Sequence, residues 1–143
     1  ELIVKYDTDI LWFDGDWVNW WDMAAGQELY QYLRELKPSL IINNRVAKRD
    51  QFKRDFGTPE QEHLSAKVDY DWEACYTLNN SWGYKRSDSS WKSPKDVNKK
   101  LVEINTQGGN LLLNIGPDGN GDVSGISKDI LLKAATERKA QTN

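Results

Sequence analysis

Asp14 closes a short apolar run, Asp9-Ile10-Leu11-Trp12-Phe13, and is followed at once by Gly15 and Asp16. Two glutamates lie downstream: Glu60, 46 positions on in Thr58-Pro59-Glu60-Gln61, and Glu73, 59 positions on beside Trp72. Polar groups that could serve them come from Asn43-Asn44-Arg45 and from Asn114, each at the end of an apolar run. Seven tryptophans among many Asn, Asp and Gly are the compositional outlier, and they suit a surface that stacks on something flat and polar, such as a sugar ring. Carboxylates with hydrogen-bonding neighbours and indole rings are what cleavage of a glycosidic bond needs. One carboxylate attacks the anomeric carbon, and a protonated one donates to the leaving oxygen. Flanking aromatics lower the local dielectric and can lift one of the two carboxyl pKa values.

These groups are useful only if the backbone brings them to one place. Asp9–Phe13 reads as a short buried strand ended by Gly15, and Leu40-Ile41-Ile42 as a second that stops at Asn43. Between them Leu29, Leu33 and Leu36 fall at helical spacing, and Pro38 ends that helix. The charged stretch from Val46 to about Ala66 has neither period and reads as a long loop. Asp71–Thr77 is a third candidate strand, and Ser81–Trp91 is rich in turn residues. Ser93 then Pro94 is an N-cap with proline at the first helical position; Val97, Leu101 and Ile104 form the inward stripe, and Gly108-Gly109 stop the helix. Asn110–Ile115 is the strongest strand, and a last helix begins near Ser127 with Ile130, Leu131 and Ala134 inward. Buried runs with little alternation, separated by helices, predict an α/β fold with a parallel sheet and outer helices. Four such strands in 143 residues correspond to about half of a (β/α)8 TIM-like barrel, a partial barrel forming a single domain over 1–143. In such barrels the strand ends carrying Asp14, Asn43, Asn44, Arg45, Glu73 and Asn114 are where reacting groups sit.

Composition removes other classes. A net charge of −3 argues against a phosphate-tracking surface and so against nucleic acid. No apolar run is long enough for a membrane span. One cysteine, Cys75, excludes an internal disulfide and reads as a packed core thiol, and no Cys/His cluster exists to hold zinc, so neither metal nor cofactor is expected. The only histidine, His63, reads as a solvated loop residue. Asp118-Gly119-Asn120-Gly121-Asp122 imitates the start of a calcium loop, but Val123 stands where that loop needs glycine, and a Pro-Asp-Gly turn fits better. Asn79-Asn80-Ser81 matches a glycosylation sequon, a pattern too common to carry weight. Each candidate site residue also has a structural alternative. Asp14-Gly15-Asp16 could be an ordinary strand-ending turn, Glu73 and Arg45 the halves of an internal ion pair, and Asn114 a loop anchor. Glu1–Tyr6 reads as the last turn of a helix and Glu137–Asn143 as a helix trailing off, so both ends look cut from a longer protein.

Taken in order, Leu11-Trp12-Phe13-Asp14-Gly15-Asp16-Trp17, Asn43-Asn44-Arg45, Asp55-Phe56-Gly57-Thr58-Pro59-Glu60-Gln61, Trp72-Glu73-Ala74-Cys75 with Ser81-Trp82-Gly83-Tyr84, and Gly108–Pro117 resemble the α-L-fucosidases of glycoside hydrolase family 29. The resemblance covers essentially the whole chain and corresponds to roughly strands 4 to 8, the C-terminal half of that family's catalytic barrel. It implies retaining hydrolysis of terminal α-L-fucose from fucosylated oligosaccharides or glycoconjugates, through a covalent fucosyl-enzyme. By resemblance Asp14 matches the nucleophile. Trp12 and Arg45 match positions that line or hydrogen-bond the fucose, Trp82 an aromatic on its C6 methyl, and Trp17 a cover for the same pocket. Glu73 and Glu60 compete for the acid/base role, with Glu73 favoured because a strand holds a carboxylate more rigidly than a loop. The family completes its pocket with residues from the first barrel strands, so the missing N-terminal half of the barrel is itself an implied partner. The alternative is a catalytically inactive carbohydrate-binding relative that keeps the Trp-rich pocket. Members of the family are often secreted, periplasmic or lysosomal.

Overall fold

The computed structural model describes residues 1–52 and 55–142. Residues divide into two compact units, the first comprising Glu1–Thr58 with Val68–Glu73 and the second Pro59–Lys67 with the chain from Ala74 onward.

The first unit opens with α1 (Leu2–Tyr6) and β1 (Ile10–Leu11), followed by α2 (Met23–Leu36) and β2 (Ile41–Ile42). Asp22 caps α2 by accepting the Ala25 N–H at 2.8 Å, and at the other end Lys37 N–H returns to the Leu33 carbonyl before Pro38 prevents continuation. β1 and β2 pair in parallel, Ile10 with Ile41 and Leu11 with Ile42. Because side chains alternate along a strand, Leu11 and Ile42 turn to the core while Ile10 and Ile41 are exposed. Burial on both faces, expected from the sequence, is therefore found on one face only. The core gathers Leu33, Leu40, Ile42, Val46, Ala47 and Phe52. Gly26 is required where α2 crosses the segment after β2: a Cβ there would lie 2.5 Å from both Cα and Cβ of Ala47.

The stretch expected to be a long loop is partly strand. After a short 3-10 turn (Asn44–Val46), β3 (Phe56–Gly57) pairs in parallel with the start of β4 (Asp71–Thr77), Phe56 with Asp71 and Gly57 with Trp72. Two residues ending in glycine, set among charges, leave no periodic signal for such a strand. Lys53 and Arg54, in the same stretch, lie outside the described residues, as does Asn143. Asp55 ties β2 to α2: it accepts the Ile42 N–H at 2.7 Å and the Tyr30 hydroxyl at 2.8 Å, and pairs with Arg34.

In the second unit the remainder of β4 lies beside β5 (Asn110–Asn114), and Leu78 N–H donates to the Asn114 carbonyl at 3.0 Å. α3 (Pro94–Thr106) starts with a full capping box between Ser93 and Asp96 and stops where Gly108 adopts φ +84°; α4 (Gly125–Thr142) packs beside it. Leu78, Val97, Ile130 and Ala134 form the core, with Leu113 and Ile115 of β5 against it. Cys75 is buried as expected. His63 departs from expectation: it is half-buried, its Nδ1 lies 3.0 Å from the Tyr76 hydroxyl, and its Nε2 is 3.9 Å from Glu103. Asn79, the sequon residue, is buried and donates to Asp88 at 2.9 Å. In the Asp118 segment the carboxylate accepts the N–H groups of Asn120 and Asp122, as the turn reading expects. Parallel pairing with intervening helices makes the chain α/β. Among the described residues no helix is long and apolar enough to cross a membrane.

Candidate active site

The site in the first unit is built where β1 and β2 end. Asn43 leaves β2 and pairs with the backbone of Phe13 on both sides, accepting its N–H and donating to its carbonyl, each at 2.9 Å. The side-chain amide thus extends the β1–β2 ladder past its last paired residues and fixes the backbone that presents Asp14. The 3-10 turn that follows brings Arg45 back beneath Asp14, with Nη1 2.8 Å from Oδ1. Arg45 is held on its other edge by Thr58, donating Nε to the hydroxyl at 2.7 Å and Nη2 to the carbonyl at 3.2 Å. Thr58 in turn donates to Asn44 Oδ1 at 2.8 Å. The Arg45 side chain is 3% exposed and that of Asp14 55%, so a buried, fixed cation grips one oxygen of a carboxylate that faces solvent. The Trp12 ring lies over the same guanidinium at 5.3 Å and tilts against Phe56.

A second ion pair ties the loop beyond Asp14. Asp16, 5% exposed, receives Arg49 Nε at 2.7 Å and Nη2 at 2.6 Å, plus the Arg49 N–H at 3.2 Å. Burial pushes the Asp16 carboxyl up, and the Arg49 hydrogen bonds and charge outweigh it, leaving its pKa below the ordinary value. Lys48 Nζ clasps the Asp16 and Val18 carbonyls at 2.6 and 3.1 Å. The Arg49 guanidinium lies over the exposed Trp17 ring at 5.7 Å, and its Nη2 is 3.8 Å from Asp14 Oδ1. A cavity of about 400 Å³ opens beside Asp14 and Arg45, walled by Phe13, Trp20, Trp21 and Leu29. The Trp21 indole N–H is anchored on the Val46 carbonyl at 3.0 Å.

Of the residues singled out in the sequence, Asp14, Arg45 and Trp12 are in one cluster, and Trp17 joins it through Arg49. Glu73 belongs to the same unit, one residue beyond the Gly57–Trp72 pair, and burial raises its carboxyl pKa. Glu60 and Trp82 are in the second unit. Glu60 is not on a free loop: it bridges to Cys75 in parallel, with Gln61 N–H to the Cys75 carbonyl at 2.9 Å. Backbone pairing therefore holds both glutamates, and burial rather than rigidity distinguishes them. Trp82 is exposed in a turn organised by Asp88, which accepts N–H groups from Asn80 and Ser90 at 3.0 Å. Asn114 keeps its backbone in the strand pairing, while its side-chain Oδ1 is buried without a hydrogen-bond partner among the described residues. Sequence reasoning missed Thr58 and the Asp16–Arg49 pair. The quoted Gly57-Thr58-Pro59 motif contained the first, but nothing local announces a pair 33 positions apart.

The family model described as Alpha-L-fucosidase matches residues 1–136. The plasma alpha-L-fucosidase of Homo sapiens is 29% identical over 142 residues, covering 92% of this chain and 30% of its own length. The tissue alpha-L-fucosidase of Rattus norvegicus is 26% identical, with 92% and 30% covered. Among solved structures, alpha-L-fucosidase isoenzyme 1 from Paenibacillus thiaminolyticus superposes with a TM-score of 0.81 at 35% identity, covering 96% of this chain and 36% of that one. AlfC from Lactobacillus casei, solved with its alpha-L-fucose product, gives 0.82 at 28% identity, covering 99% and 43%. The chain thus spans about 30% of the length of the curated relatives it matches.

Proposed function

The chain belongs to the alpha-L-fucosidase family, and we propose that it contributes the nucleophile and the proton donor for retaining hydrolysis of terminal α-L-fucosyl residues. The observation that carries this reading is the Asp14–Arg45 arrangement. A buried guanidinium holds Oδ1 at 2.8 Å and orients the carboxylate while the side chain remains open to a substrate. In the first step an Asp14 oxygen forms a bond to the anomeric carbon as the bond to the leaving oxygen breaks, and Glu73 transfers its proton to that oxygen. In the second step Glu73, now a carboxylate, takes a proton from water. The water oxygen bonds to the anomeric carbon, the Asp14 ester bond breaks, and fucose leaves with its configuration retained. The raised pKa of Glu73 supports its assignment as proton donor, since a donor must be protonated at the working pH. Glu60, by contrast, is exposed.

Trp12 and Arg45 are read as lining the fucose pocket in the first unit, with Trp17 as a further aromatic contact. The α/β units with their parallel strands are read as the C-terminal part of a (β/α)8 barrel. The substrate class is a fucosylated oligosaccharide or glycoconjugate.

The test uses this chain at the full length of its relatives, referred to below as the full-length enzyme, with 4-nitrophenyl α-L-fucoside as substrate. Asp14→Gly should reduce turnover to background, and azide should restore part of it by taking the place of the missing carboxylate and leaving as fucosyl azide. Wild-type-like turnover in Asp14→Gly refutes the assignment. Glu73→Ala should spare this good leaving group far more than a natural fucoside, and the same pattern in Glu60→Ala instead would transfer the role to Glu60.

A further inference from the structure

We propose that Arg49, anchored by Asp16, is a positioning residue for Asp14: it fixes the segment Asp14–Val18 over the 3-10 turn and places a second cation on the Asp14 oxygen that Arg45 already holds. This inference rests on Asp14 being the nucleophile. Three features carry it. The Asp16–Arg49 contact is bidentate and buried at its carboxylate end, with a third bond from the Arg49 backbone, so the guanidinium has one place to be. From that place it reaches Asp14 Oδ1 at 3.8 Å, on the oxygen that accepts Arg45 Nη1 at 2.8 Å. Both cations converge on Oδ1, and Oδ2 accepts no hydrogen bond among the described residues, which leaves it as the oxygen to meet the anomeric carbon. The same guanidinium stacks on Trp17 at 5.7 Å, so one side chain sets both the carboxylate and the indole beside it.

Among the described residues of this unit, charged groups reach Asp14 and its loop from several places. Arg45 comes from the 3-10 turn and Arg49 from the residues after it, Asp16 lies on the loop itself, and Lys48 turns its ammonium onto the Asp16 and Val18 carbonyls. Removing Arg49 takes away a positive charge and leaves Asp16 buried without its guanidinium. Both changes loosen the segment that presents Asp14, so the loss should fall on kcat far more than on KM. Lysine at the same position keeps the charge but loses the two-pronged grip on Asp16.

The experiment compares Arg49→Met, Arg49→Lys, Asp16→Asn and Asp16→Asn/Arg49→Met in the full-length enzyme, reading kcat and KM on 4-nitrophenyl α-L-fucoside, with Asp14→Gly alongside. Arg49→Met should lower kcat by on the order of 10- to 100-fold, the scale of a misplaced reacting group, with KM changing far less. Arg49→Lys should recover only part of the rate. The double variant should lose no more than Arg49→Met alone, because the two side chains act as one unit. A wild-type rate in Arg49→Met, a loss carried by KM rather than kcat, or additive losses in the double variant overturn the positioning role. Should Arg49→Met not fold, Arg49→Lys decides: a rate equal to wild type overturns the role, and a reduced kcat at unchanged KM upholds it. If Asp14→Gly is inactive while the Arg49 variants are unaffected, only the positioning role falls. If Asp14→Gly turns over normally, the nucleophile assignment has failed instead.

Discussion

Replacing Gly26 by alanine sets two effects of opposite sign against each other. Gly26 lies inside α2, where alanine is intrinsically the better helix former by about 1 kcal/mol. Propensity thus predicts a stabilised protein. The packing predicts the reverse. A Cβ at this position would sit 2.5 Å from Ala47 Cα and Cβ and 2.6 Å from the Val46 carbonyl, whereas ordinary contact is 3.4–4 Å. These are backbone and near-backbone atoms, so no side chain can swing aside and the two segments must part by roughly 1 Å. Overpacking of that kind costs about 1–3 kcal/mol, and the rigid neighbours put this case toward the upper end. The net expectation is destabilisation by about 1–2 kcal/mol, read as a lowered midpoint in urea at unchanged slope. Arg45 sits one residue before Val46, so in the full-length enzyme kcat should also fall, on the order of 10-fold or more for a displacement of this size. Gly119→Ala, with nothing within 4 Å of its Cβ, is the control and should be neutral. A Gly26→Ala protein more stable than wild type by about 1 kcal/mol would mean that α2 does not approach Ala47 as described, and the reasoning fails.

Glu73→Gln tests the environment of the proposed acid. A carboxyl whose pKa is raised in the folded state binds its proton more tightly there than in the unfolded chain, so stability falls as pH rises from the unfolded value through the folded one. Denaturation midpoints of wild type should therefore decline across that window while those of Glu73→Gln stay flat, leaving the variant the more stable at neutral pH; parallel curves would refute the burial. Gly116→Ala places a Cβ 2.7 Å from Gly83 C and Tyr84 N, with no helix propensity in compensation, and should cost about 1–3 kcal/mol while changing the fluorescence of Trp82 beside that contact. Ser93→Ala removes half of the capping box of α3 and should lower stability by about 1 kcal/mol, measured by thermal unfolding, without affecting turnover in the full-length enzyme.

Much of this architecture was legible because the determinants are local. Ser93-Pro94 and Gly108 mark α3 through capping and handedness, and Pro38 marks the end of α2. β4 was readable despite its polar residues because Trp72, Ala74 and Tyr76 alternate with Asp71, Glu73 and Thr77. β3 was not, since two residues cannot display a period and their strand character comes from pairing with β4. The candidate site divides in the same way. Asp14 and Arg45 stand out by type and by their places at strand ends, but the acidic partner the sequence suggested for Arg45 was Glu73. The 3-10 turn, which no local motif announces, is what turns it onto Asp14. Thr58, Asp16 and Arg49 acquire their roles only through partners 13 to 33 positions away, beyond the range of any pattern along the chain.

Asn43 gives the molecule a clock. Its fully buried amide satisfies both polar groups of the Phe13 peptide, a task that requires a donor and an acceptor on the same side chain. Hydrolysis of that amide to a carboxylate, the commonest spontaneous damage to asparagine, replaces the donor by a charged oxygen facing the Phe13 carbonyl, one residue from Asp14. A change of a single functional group would then unfasten the backbone that presents the reacting carboxylate. The reaction begins when the Asn44 nitrogen attacks the Asn43 side-chain carbonyl, and the two bonds to Phe13 hold that amide away from the required approach. While folded, the protein shields this amide. Each excursion to the unfolded state exposes it, so ageing of this site should track the population of unfolded chain rather than elapsed time.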